Sequence, residues 1–68
     1  MYQSVQFVDN NKNEIIFVDR NIISVPRVGE QVMFNSMRYK VRQVYYDYHT
    51  LSRDDVCCLI EVNLEEIK

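Results

Sequence analysis

Residues 56–64 read VCCLIEVNL, and Val56, Cys58, Ile60, Val62 and Leu64 fall at every second position. Side chains share a face every two residues in a strand and about every 3.6 in a helix, so this segment is a strand with that set inward. No stretch sustains a helical apolar period, while β-branched and aromatic residues are plentiful. The chain is therefore expected to be strand and turn throughout. Further strands are predicted over residues 2–8, 14–22, 30–34 and 37–48. In the first, Val5 and Phe7 face the core. In the second, Ile15 and Phe17 point one way and Ile16, Val18 and Ile22 the other. The polar segment DNNKNE, residues 9–14, is a turn built from residues that tolerate left-handed backbone.

The only proline and the only glycine, Pro26 and Gly29, stand three residues apart. Pro26 fixes its own φ and drives Val25 toward extended geometry. Gly29 permits a positive φ, so a sharp re-entry into the strand at 30–34 is expected there. Asn35-Ser36 is read as a two-residue hairpin turn leading to the strand at 37–48. In that strand, MRYKVRQVYYDY, the core-like residues fall at 39 and 41, then at 44, 46 and 48. A strand changes face only through an extra residue, so a β-bulge or sharp bend is predicted at Arg42–Gln43. Residues 49–55 are expected to form a loop.

Pro26-x-x-Gly29-Glu30-x-Val32, a short hairpin, and Tyr39-x-Val41-x-x-Val44 together resemble the pattern of SH3-like small β-barrels. The likeness is to barrels of small phage and mobile-element proteins and of ribosome-associated proteins, and it spans residues 26–46. It implies one all-β domain of about five strongly bent antiparallel strands; together with the small size of the chain, it also raises an inhibitor of a host factor as a role. KOW-type relatives carry further glycines and lysines at the hairpin, where this chain has Asn35-Ser36. That departure points away from a ribosomal role.

At 68 residues there is room for one small domain. Cys57 and Cys58 are adjacent, so a disulfide between them closes no useful loop, and they are read as buried thiols of a reducing compartment. No basic segment followed by an apolar run opens the chain. The longest apolar run, VCCLI at 56–60, is far short of a bilayer span. A soluble, cytoplasmic chain without a membrane partner is the expectation.

Catalytic chemistry is not expected. His49, Ser52 and Asp54 or Asp55 supply the residue types of a triad, but no nucleophile elbow and no glycine for an oxyanion hole accompany them. His49 is expected to be a surface residue and Asp54-Asp55 to be solvated. No metal set, phosphate-binding loop or cofactor motif is present.

Charge is distributed unevenly. Residues 1–19 carry Lys12 against Asp9, Glu14 and Asp19. Residues 20–53 carry Arg20, Arg27, Arg38, Lys40, Arg42 and Arg53 against Glu30 and Asp47, and residues 54–68 set Lys68 against five acids. The basic middle makes Arg38, Lys40, Arg42, Tyr45, His49 and Arg53 the candidate binding residues. Tyr and Arg are enriched at protein-binding hot spots, so a non-catalytic protein-interaction module is expected. A single-stranded nucleic-acid platform of Arg38, Lys40, Arg42 and Tyr45 is the alternative. The sequence pI of about 5.2 and the net charge of −2 stand against it. Finally, strands 14–22 and 56–64 are apolar on both faces. A homodimer through the second or final strand is therefore expected, using Ile16, Val18, Ile22 and Leu59.

Overall fold

The computed structural model describes residues 2–20, 24–53 and 55–67. Five strands follow one another: β1 (Tyr2–Asp9), β2 (Glu14–Asp19), β3 (Gln31–Phe34), β4 (Met37–Ser52) and β5 (Asp55–Glu66). They form one sheet in the order β2-β1-β5-β4-β3, curled into a half-barrel. Three of the four pairings are antiparallel, but β1 runs parallel to β5. The expected wholly antiparallel barrel is corrected on this point. The reason is parity: five strands alternating in direction leave the first and last pointing the same way, so their pairing can only be parallel.

The turns follow their residues. Asp9 is buried, and its Oδ1 accepts hydrogen bonds from the backbone N–H of Asn11 (2.9 Å) and Lys12 (3.2 Å), while its carbonyl accepts from Asn13 N (2.7 Å). Asn13 takes a positive φ of 55°, which Asn tolerates better than most residues. Asn35 and Ser36 both adopt positive φ, 50° and 67°, as a two-residue hairpin with the right-handed twist requires. Gly29 has φ 94°. Its N–H donates to Val41 O (2.9 Å), Glu30 N–H donates to Arg27 O (3.0 Å), and Val41 N–H donates to Glu30 O (2.9 Å). The scarce glycine thus sits where the crossover from β2 must turn sharply beside β4.

The bulge in β4 lies where the sequence places it. Val41 pairs with Leu64 and Gln43 with Asn63, leaving Arg42 as the extra residue. Tyr39 and Val41 are buried before it, and Val44 packs against the core after it. Tyr46 does not follow: it is 53% exposed, because β3 begins at Gln31, opposite Lys40, and covers β4 only over residues 37–40. The segment expected as a loop is strand as far as Ser52, with β5 beginning at Asp55.

A second bulge is unanticipated. Phe7 pairs with Phe17 and Val8 with Ile15, so Ile16 is extra in β2. Ile16 consequently packs against the core beside Phe17, while Ile15 is exposed. The expectation that Ile16 faces outward and Ile15 inward is reversed. Ile22 lies outside the described residues.

The core gathers Val5, Phe7, Tyr39, Val41, Cys58, Ile60, Val62 and Leu64. Of the five residues expected to face inward from the last strand, Cys58, Ile60, Val62 and Leu64 belong to it, and Val56 is half-buried outside it. Rings close the curl. Phe7 lies 5.1 Å from Phe34 and 6.3 Å from Phe17, and Phe17 lies 5.7 Å from Phe34, centroid to centroid. Phe17 is on one edge strand of the sheet and Phe34 on the other. Side chains rather than a hydrogen-bonded ladder join the two edges.

Two outcomes follow. Phe34→Ala should lower stability by about 2–4 kcal/mol, read as a fall in the urea midpoint, with Phe17→Ala costing less because its ring is half exposed. Gly29→Ala meets no atom within 4 Å, so its cost is backbone strain alone. A loss of about 1–2 kcal/mol is expected, with Gly29→Asn milder.

Candidate functional site

The sheet has a concave core face and an outer face, and the bulge decides which residues of β4 reach the outer one. Tyr39 and Val41 point inward, which sends Arg38 and Lys40 outward. Arg42 and Gln43 then lie consecutively on the outer face, followed by Tyr45, Asp47 and His49 at alternate positions. Five of the predicted binding residues therefore share one face of one strand. Arg53 is in the turn after β4.

The neighbouring strand answers that basic stripe with acids. Glu65 stands opposite Lys40, and its Oε2 lies 3.1 Å from Arg42 Nε. Glu61 stands opposite Tyr45. Both members of the Arg42–Glu65 pair are about half exposed, so the pair contributes little to stability. Its effect is to neutralise the stripe locally. Tyr45 Oη donates to Gln43 Oε1 at 2.6 Å, which fixes the phenol along the strand. His49 Nε2 lies 3.0 Å from Asp47 Oδ2, both in strand rather than loop, and neither touches Ser52 in a triad geometry. Asp54 lies outside the described residues.

Beside Tyr45 the outer face sinks into an open depression of about 270 Å³, crossing β1, β5 and β4 and lined by Ser4, Gln6, Tyr45, Asp47, Leu59, Ile60 and Glu61. Leu59 gives it an apolar floor, while the Ile60 side chain belongs to the core. Tyr45 forms a wall, and the carboxylates of Asp47 and Glu61 stand at its rim. Leu59, expected at a self-association face, thus lines this depression. Val18 is exposed on the same outer face, opposite Gln6. Sequence reasoning found Tyr45 but missed Asp47 and Glu61, because only the β4–β5 register brings them together.

On the core face, Tyr46 and Tyr48 extend past the end of β3, and Tyr48 is 65% exposed. Cys57 and Cys58 are both free and buried, on opposite faces of β5. Among the described residues no group of three or more His, Cys, Asp or Glu is placed to hold a metal, and no helix is long and apolar enough to cross a membrane. Comparison with protein-family models, curated proteins and solved structures finds no match to this chain.

Tyr48 pairs directly with Cys58. Charge on that thiol, above all, pushes the Tyr48 phenol upward, with desolvation, a hydrogen bond to Cys58 and the nearby Tyr46 adding to it. A raised folded value favours the protonated phenol in the native state. Its contribution to stability is full below the ordinary tyrosine range and is lost as pH rises through the raised value. Cys58→Ala should bring Tyr48 back toward the ordinary range in an alkaline absorbance titration.

Proposed function

We propose that this chain is a non-catalytic protein-binding module that receives a basic side chain of its partner in the outer-face depression. The observation that carries the reading is the lining itself. An apolar floor at Leu59 suits the methylenes of Arg or Lys, the Tyr45 ring suits the face of a guanidinium or ammonium, and Asp47 and Glu61 supply opposite charge at the rim. A small open site on a rigid sheet selects for a side chain carried by a larger partner rather than for a free small ligand, which most often occupies a deeper, more enclosed pocket.

The resemblance to SH3-like barrels of small phage and mobile-element proteins extends this reading to an inhibitor that occupies a host protein. Two free cysteines without a disulfide fit a reducing, cytoplasmic setting. The nucleic-acid alternative draws support from Arg38, Lys40, Arg42 and Tyr45 sharing a face. It is disfavoured because Glu65 engages Arg42 and opposes Lys40, leaving less net charge for phosphates.

The test is a pair of NMR titrations, one with short Arg- and Lys-containing peptides and one with a single-stranded oligonucleotide. Basic peptides should shift the amides of Gln6, Tyr45, Leu59 and Glu61. Tyr45→Ala or Glu61→Gln should weaken that binding about tenfold, ~1.4 kcal/mol. Oligonucleotide binding centred on Arg38–Arg42 and steeply weakened by salt, with no peptide response, would replace this reading by the alternative.

A further inference from the structure

We propose that the outer edge of β4 is a docking edge for a second copy of this chain, the two β4 strands pairing antiparallel about a two-fold axis at Tyr48. On its inner side β4 is paired with β5 as far as Ser52. On its outer side β3 covers residues 37–40 and the Gly29–Glu30 turn reaches Val41. From Arg42 onward no strand lies along that edge among the described residues. Such an edge presents unpaired N–H and C=O groups, which serve as a template for another strand.

The composition of the edge does nothing to prevent pairing. Natural edges are blunted by short length, lysine or proline. Residues 43–50, QVYYDYHT, hold neither lysine, proline nor glycine, and they form an uninterrupted ladder between the two irregularities of β4. The final strand, by contrast, is interior, flanked by β1 and β4. It has no edge to offer, so a dimer joined by its backbone is ruled out.

Charge selects a second copy, and a register, over an unrelated strand. Pairing about a two-fold axis that keeps core face with core face must centre on a single residue. Centring on Asp47 sets two carboxylates against each other, which is destabilising. Centring on Tyr46 sets Asp47 against a phenol. Centring on Tyr48 sets Asp47 against the second copy's His49, and His49 against the second copy's Asp47, so the complementary contact occurs twice. Tyr48 then meets its own counterpart, and Tyr46 and Tyr48 lose exposed surface beneath a strand that continues the sheet where β3 stops. The depression of the proposed function shares Asp47 with this contact but takes the rest of its charge from Glu61 on β5, so Glu61→Gln separates the two readings.

Sedimentation across the micromolar range tests it, with circular dichroism confirming the fold of each variant. A concentration-dependent passage from monomer to dimer is expected, accompanied by slower exchange of β4 edge amides at higher concentration. Asp47→Lys should weaken the dimer about tenfold, and adding His49→Glu to it should restore association. Tyr48→Lys should also weaken it, whereas Glu61→Gln, on β5, should not. Monomer at every concentration, an open-ended assembly, a dimer indifferent to Asp47→Lys and Tyr48→Lys, or failure of His49→Glu to restore it overturns the proposal.

Discussion

Phe7, Phe17 and Phe34 come from three strands, and Phe17 and Phe34 belong to opposite edges of the sheet. Their contact holds the curl closed, and the rest of the architecture follows from it. With the two edges brought together, Val5, Val41, Ile60, Val62 and Leu64 become the floor of an enclosed core, each at 2% exposure or less. Removing such a side chain from water contributes roughly 1.5–3 kcal/mol. Without the rings, the same strands would form an open, twisted sheet with one wet apolar face. A 68-residue chain has little surplus stability to offset such a loss. The aromatic seam is therefore where the fold is most concentrated.

That closure is local. It brackets the end of the sheet that carries β2 and β3, and it leaves β4 and β5 to run on with only the first residues of β1 beside them. The molecule measures 46 × 21 × 18 Å, and its length reflects that division. One end is packed on the core, and the other presents tyrosines on one face and a shallow acidic depression on the other. Both proposed contacts use the second end. A packed core and an exposed three-stranded end thus divide stability from recognition along the sheet.

Much of the fold was legible because polar residues mark the faces. In β4 the change from core positions 39 and 41 to position 44 is visible, since Arg38, Lys40, Arg42 and Gln43 separate them, and the bulge follows by counting. In β2 the run Ile15-Ile16-Phe17-Val18 is apolar at every position, so an extra residue leaves no trace in the pattern. Ile16 was misassigned for that reason. The parallel β1–β5 pairing has no local signature either, because it depends on which strands become neighbours. For the site, Arg38, Lys40, Arg42 and Tyr45 could be placed on one face from alternation alone. Asp47, Leu59 and Glu61 could not, because the contacts that unite them cross from β4 to β5 and depend on a register that no short stretch encodes.

The bulge at Arg42 makes length and chemistry separate properties of that position. The Arg42 side chain is exposed and its ion pair is weak, so many residues could stand there at little cost. Removing the position altogether would leave the pairing on either side of it intact. Val41 already pairs with Leu64 and Gln43 with Asn63, so a one-residue deletion at 42 would join them into a regular ladder, with Tyr39 and Val41 still inward and Arg38 and Lys40 still outward. Position 42 adds local bend and twist to the strand. Lineages carrying this fold could therefore change its letter or lose it while the facing of β4 stays the same, so an alignment should accept a gap there as readily as a substitution.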